Sequence, residues 1–121
     1  MERIEEFTLE GKNFVYIDAS GLSSDDDFLE VIKEAESTIA KYPEASVYTI
    51  TNLSNLRFDT HTKEIAGKYT ENNKYYVKYG AIIGVDGIKK MMVKVVMKLS
   101  DRPEMEYAFT KDQAIEMLLK K

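Results

Sequence analysis

Segments with the pattern of β-strands and segments with the pattern of amphipathic helices alternate along this chain of 121 residues. Two strand-like runs come first, at Ile4–Leu9 and 14–19, and Gly11 in the polar stretch between them is typical of a hairpin turn. Helix-like and strand-like segments then take turns, which gives the order β-β-α-β-α-β-α-β-α. This order predicts an α/β fold: a mixed, partly parallel sheet of about five strands with four helices packed on it.

Residues that cap helices precede three of the helix-like segments. Ser24 stands before a run of aspartates, which suits the positive end of a helix dipole. Either Asp59 or Thr60 can cap the second helix, and Thr110 with Gln113 has the form of a capping box before the last one. These residues predict where the three helices begin.

The composition is that of one globular domain over residues 1–121, because a second core would leave each half too small. The chain has no cysteine, which excludes disulfides, thiolate metal sites and a cysteine nucleophile. A single histidine makes a multi-histidine metal site or most acid–base sites hard to build, and a formal net charge of −4 gives no footprint of nucleic-acid binding. We therefore expect no metal, no cofactor and no nucleic-acid partner.

The expected location is the cytoplasm. The N-terminal segment is acidic and lacks the apolar core of a secretory signal. No apolar run approaches the ~20 residues that span a bilayer, so no transmembrane segment is predicted.

The third helix, predicted over 88–99, is the most informative element for binding. At about 100° per residue, one apolar arc is expected to face the sheet: Ile88, Met91, Met92, Val95, Val96 and Leu99. Lysines recur at every fourth residue on the other side: Lys90, Lys94 and Lys98. Val93 and Met97 fall beside these lysines and could contact a protein, an acidic lipid surface or a second copy of the chain. Cover by other helices or by lysine stems is the other explanation.

The turn before that helix contains Gly84 and Gly87. A strand, a glycine-bordered turn and a helix start could together hold an anion, because backbone N–H groups point outward there. The pattern is neither a P-loop nor a dinucleotide fingerprint, and Asp86 would add negative charge. The pair is a candidate anion-binding turn, with a tight turn capped by Asp86 as the alternative.

Five of the six methionines lie between residues 91 and 117. Their flexible thioether side chains could line a pocket for an acyl chain or another apolar ligand. Ordinary filling of the core explains them as well. The sequence leaves both interpretations open.

Three stretches of the chain resemble a known family: residues 11–22 (GKNFVYIDASGL), 76–87 (YVKYGAIIGVDG) and 109–118 (FTKDQAIEML). Together they make the chain similar to the small stand-alone STAS-like proteins, relatives of bacterial anti-sigma-factor antagonists that are also grouped with CRAL-TRIO lipid-binding domains. The resemblance extends over nearly the whole chain. It implies a STAS-like fold and no enzyme activity.

The resemblance also draws attention to the start of the second helix. True antagonists carry Asp-Ser-Ser-Gly or a close variant there, and a partner kinase phosphorylates the first serine. The matching residues here are Asp59, Thr60, His61 and Thr62, so the resemblance implies phosphorylation at Thr60. The glycine of the motif is missing, and His61 replaces a small residue. A helix cap at Asp59 or Thr60 is the alternative.

These observations lead to one main hypothesis and one alternative. We expect a non-enzymatic binding or regulatory module that uses a surface of the second and third helices to contact a protein partner or a second copy of itself. That predicted surface comprises Thr60, His61, Lys90, Val93, Lys94, Met97 and Lys98. The alternative is a carrier that holds a lipid or another small apolar ligand between helices and sheet.

Overall fold

The computed structural model describes residues 2–99 and 105–121, and its elements follow the expected order. They are β1 (Ile4–Leu9), β2 (Lys12–Asp18), α1 (Asp25–Ile39), β3 (Val47–Asn52), α2 (Thr60–Asn73), β4 (Val77–Ile83), α3 (Gly87–Leu99), β5 (Glu106–Ala108) and α4 (Lys111–Leu119). The predicted α/β class, with five strands and four helices, is confirmed.

The five strands form one sheet in the order β1-β2-β3-β4-β5. β1 pairs with β2 in antiparallel fashion, and the remaining neighbours are parallel. Each parallel strand lies beside the one before it, so right-handed connections place α1, α2 and α3 on the same face of the sheet. In that layer α2 packs against both α1 and α3, while α4 packs on β3, β4 and β5.

The sheet separates two apolar cores. Phe14 and Val15 are neighbours in β2 and are both fully buried, because their side chains point to opposite faces. Val15 belongs to the larger core under α1, α2 and α3, and Phe14 to the smaller core under α4. Burial on both faces explains the nearly continuous apolar pattern of the central strands.

Three of the predicted helix starts are confirmed by their capping bonds. The Ser24 hydroxyl accepts a hydrogen bond from the Asp27 N–H at 3.3 Å, and Asp59 Oδ1 accepts one from the Thr62 N–H at 3.0 Å. Of the two candidates for the second helix, Asp59 is therefore the cap. Thr110 caps α4 at 3.1 Å from the Gln113 nitrogen.

Candidate docking surface

Helix α3 is turned about its axis relative to the prediction. Three residues expected to face the sheet are exposed: Ile88 by 77%, Met91 by 67% and Val95 by 48%. Val93 is only 3% exposed, and Met97 is partly buried against the larger core. The placement of Val93 and Met97 on a solvated surface is therefore wrong, whereas Val96 is buried as expected, at 4%. The side chain of Leu99 lies outside the described residues.

Contacts with the neighbouring elements explain this orientation. Gly67 in α2 has no side chain, and a Cβ built there would lie 3.9 Å from Val96 Cγ1, so α3 approaches α2 at this point. On the other border, the Nζ atoms of Lys90 and Lys94 lie 4.7 and 5.7 Å from the centre of the Tyr107 ring in β5. Cation–π attraction and the aliphatic stems hold these lysines over the ring. The start of the lysine border thus turns toward the sheet edge, and Ile88, Met91 and Val95, which belong to the arc expected to face the sheet, turn outward.

The outward arc forms what we call the α3 face, made of Ile88, Met91 and Val95 with the exposed lysines Lys94 and Lys98 along one border. The apolar residues stand at i, i+3 and i+7 and extend about 10 Å along the helix. They account for three of the six large exposed hydrophobic side chains in the described part of the chain. The α3 face is a concentrated apolar row with a basic border.

The start of α2 faces α1, not α3. His61 Nδ1 lies 2.8 Å from Asp25 Oδ2, at the first residue of α1. Arg57 Nη2 lies 2.8 Å from Asp59 Oδ2 and 3.7 Å from Asp25 Oδ2. The Thr62 hydroxyl is 3.0 Å from Asp59 Oδ1 and 3.3 Å from Asp25 Oδ1. This polar cluster joins the N-termini of α1 and α2.

The cluster changes the titration of two of its members. The hydrogen bond and the charge of Asp25 raise the pKa of His61 above its ordinary value. The backbone N–H and the hydroxyl of Thr62 hold the pKa of Asp59 below its usual range, with the Arg57 guanidinium as a smaller cause. Thr62 is 1% exposed, and the sequence analysis named it only as the residue at the position of the motif's glycine.

The seven residues of the predicted surface therefore do not form one continuous surface. His61 is turned toward α1, while α2 lies between α1 and α3. Thr60 is exposed at the first residue of α2, and its phosphorylation stays a prediction. Lys90 and Lys98 are eight residues apart, about 12 Å along α3. On α3 itself, Lys94 and Lys98 remain exposed, whereas Lys90 is half-buried over the Tyr107 ring.

His61 is an exposed residue whose ring pairs with one carboxylate. Its imidazole is 61% exposed, and Asp25 is its one hydrogen-bond partner within the described residues. The pair therefore serves as a link between two helices.

The two glycines of the candidate anion-binding turn have backbone conformations with positive φ, +84° at Gly84 and +50° at Gly87. A Cβ at Gly84 would come within 2.6 Å of the Ser54 nitrogen, so close backbone approach explains this glycine. Nearby, Lys89 Nζ lies 3.5 Å from the Leu53 carbonyl oxygen. The packing accounts for the glycine at position 84, and anion binding stays a prediction.

A cavity of about 50 Å³ lies between the sheet and the three-helix layer. Its walls are mainly apolar and include two of the methionines, Met97 and Met105, beside Ile32, Tyr69 and Ile82. Pockets that hold small organic ligands usually enclose about 300–1,000 Å³, so this cavity fits a few water molecules in its present form. The carrier hypothesis stays a prediction.

Across residues 2–99 and 105–121, no three histidine or acidic side chains converge in an arrangement that could hold a metal ion. Over the same ranges, no helix has both the length and the apolar character that crossing a bilayer requires.

Comparison with known proteins defines the class of fold. No family model matches the chain, and no curated protein matches it. The chain is similar in structure to an uncharacterized protein from the DUF3478 family with a SpoIIAA-like fold, from Shewanella loihica PV-4. The identity is 18% and the TM-score 0.68, covering 95% of this chain and 91% of the other. The expected STAS-like fold, here described as SpoIIAA-like, is thus confirmed.

Proposed function

We propose that this protein is a non-enzymatic binding or regulatory module that docks a protein partner on its α3 face. The observation that carries the proposal is the row of Ile88, Met91 and Val95, exposed by 77, 67 and 48%. Contiguous apolar rows of this kind mark interaction sites on many proteins, because a partner removes the row from water. Burial of such side chains contributes about 1.5–3 kcal/mol each before the cost of association. The STAS-like fold supports the class of module.

The border of the α3 face limits the chemistry of the partner. Lys94 and Lys98 are exposed and one helical turn apart, and no ion pair joins either of them to a described acidic residue. A partner with an apolar centre and acidic groups along one edge complements this face. A basic partner is disfavoured, because like charges would meet at the rim.

Position-specific crosslinking in cells tests the proposal. A photoreactive amino acid replaces Met91, and a matched control carries it at Glu116, which is exposed on α4 across the sheet. We expect a discrete crosslinked protein from position 91 and none from position 116. The additional change Val95→Asp should remove the product, since a charge on the apolar row opposes docking.

Binding by purified components completes the test. The crosslinked protein, once isolated, should bind the wild-type chain and lose binding at least about tenfold with Val95→Asp, the equivalent of 1.4 kcal/mol. The variant Glu116→Lys should bind as the wild type does. Absence of any product from position 91, or equal products from both positions, would refute the proposal.

A further inference from the structure

We propose that the occupant of the α3 face is a second copy of this chain, which presents the acidic side of its α1. This inference rests on the proposed function, because it names the partner of the same face. It is carried by the match in charge and spacing between two surfaces of one molecule.

The second surface is a groove of about 460 Å³ along the first half of α1. We call it the acidic groove; its carboxylates are Glu2, Asp27, Glu30 and Glu34, and its two apolar residues are Leu22 and Val31. All four carboxylate residues are exposed. None of them forms an ion pair with another described residue.

Arg3, the basic residue that lines this groove, binds to groups at the end of β2 and after it. Arg3 Nη1 donates hydrogen bonds to the carbonyl oxygens of Asp18 and Ser20, at 3.1 and 2.9 Å, and lies 3.9 Å from the Asp18 carboxylate. The exposed carboxylates on α1 are therefore accessible to a positive charge on another molecule. Lys94 and Lys98 provide such charges on the α3 face.

The two surfaces also match in spacing. Glu30 and Glu34 are four residues apart on α1, as Lys94 and Lys98 are on α3, so both pairs are separated by one helical turn, about 6 Å. Two helices packed side by side can therefore bring both lysines opposite both glutamates. The apolar row of α3 would then lie beside Leu22 and Val31, which are themselves largely buried.

The fold prevents this contact within one molecule. Because α2 lies between α1 and α3, the acidic groove and the α3 face occupy opposite sides of the helix layer. Association is therefore head-to-tail, from the α3 face of one copy to the acidic groove of the next, which closes into a ring or extends into a chain. A symmetric contact of two α3 faces would bring lysines together and is disfavoured.

Charge reversal on each surface tests the inference by sedimentation velocity over a range of protein concentrations. One variant combines Lys94→Glu with Lys98→Glu, and the other combines Glu30→Lys with Glu34→Lys. All four side chains are exposed, so the variants should keep the circular dichroism spectrum of the wild type. Each variant should weaken self-association at least about tenfold, because like charges then meet across the contact.

Restoration is the decisive part of this experiment. The chain with all four reversals again pairs opposite charges and should associate as the wild type does. A control with Lys78→Glu and Lys120→Glu changes the net charge as the α3 variant does, at exposed sites away from α3, and should leave association unchanged. Failure of the four-fold variant to associate, or a loss in the control equal to that in the α3 variant, would overturn the inference.

The crosslinking result separates the inference from the proposed function. A product of position 91 with the mass of two chains supports both. A product with a different protein, together with a wild-type chain that stays monomeric, overturns the self-association and leaves the docking function standing. A monomeric wild type with no product at all rejects both.

Discussion

The imidazole of His61 lies 2.8 Å from the carboxylate of Asp25, although 36 residues separate the two along the chain. Their backbones begin two different helices, so the contact joins α2 to α1 at the edge where the parallel strands end. Thr62 and Arg57 reach the same carboxylate, at 3.3 and 3.7 Å. The one histidine of this chain therefore helps to hold two helix N-termini together.

This contact predicts an elevated pKa for His61, because Asp25 stabilises the protonated ring. The resulting stabilisation is fully present below the ordinary pKa near 6.5 and is lost as the pH rises through the raised value. An NMR titration of the single imidazole measures it directly. Asp25→Asn should lower the pKa toward 6.5, while Asp26→Asn, an exposed neighbour, should leave it nearly unchanged. Equal pKa values in the wild type and Asp25→Asn would contradict the contact.

The orientation of α3 predicts opposite responses at two nearby valines. Val93→Ala should lower the free energy of unfolding by about 2 kcal/mol, because it empties space in the core. Val95→Ala, at an exposed site, should leave stability unchanged or raise it by about 0.5 kcal/mol, since alanine favours helix more than valine. Urea denaturation compares the two variants. A larger loss of unfolding free energy in Val95→Ala than in Val93→Ala would contradict this orientation and support the one predicted from the sequence.

The close approach at Gly84 predicts a loss of stability when a methyl group is added. Gly84→Ala must adopt a φ of +84° and push against the Ser54 backbone, so it should cost about 3 kcal/mol. Gly21→Ala is the matched control, with a φ of +71° and open space around it, and should cost about 1 kcal/mol. Thermal or urea unfolding measures both. Equal losses would show that the Ser54 contact contributes nothing.

A further hydrogen bond links the turn that follows α1 to strand β1. The Tyr42 hydroxyl donates to Glu6 Oε1 at 2.7 Å, which raises the pKa of Tyr42 to about 12 and lowers that of Glu6. Tyr42→Phe should raise the pKa of Glu6 and cost about 0.5 kcal/mol at pH 7, since the pair is partly exposed.

The pH dependence of this variant follows from the two shifts. Because the pKa of Glu6 is lowered, its hydrogen bond stabilises the folded protein above pH 4.5, the ordinary pKa of the group. This stabilisation is lost as the pH falls through the lowered pKa. The raised pKa of Tyr42 means that its stabilisation is present below 10.0 and lost as the pH rises through about 12. Urea unfolding at pH 7 and pH 3 should therefore show a smaller difference at pH 3. Tyr75→Phe, at a side chain exposed by 57%, should have no such effect.

Local features of the sequence were sufficient for the helix starts. A hydroxyl or carboxylate at Ser24, Asp59 or Thr110 accepts a bond from an N–H three residues later, so the partner lies within the same short segment. The strands could also be predicted from the sequence. Helices cover both faces of the sheet, so β2 and β4 carry apolar residues on both faces. A capping bond joins residues close together in the chain, and a buried strand is marked by its own apolar residues, so neither prediction needs the rest of the fold.

The orientation of α3 could not be predicted in this way. The apolar residues of this helix form one wide arc, from Met91 and Ile88 through Val96 to Val93, so the pattern leaves open which part of the arc faces the sheet. The choice depends on contacts that exist only in the folded chain, where Val96 lies beside α2 at Gly67 and Lys90 lies over Tyr107 in β5.

Sequence alone thus determined the order of the elements, the class of fold and the caps of α1 and α4, because turn residues, caps and apolar periodicity act over a few residues. Tertiary structure alone decided which part of the apolar arc of α3 meets water, that Asp59 and not Thr60 caps α2, and that His61 meets Asp25. The first and the last of these outcomes arise from contacts between segments that are distant in the chain, and their energies depend on the shape of the surface that each segment meets.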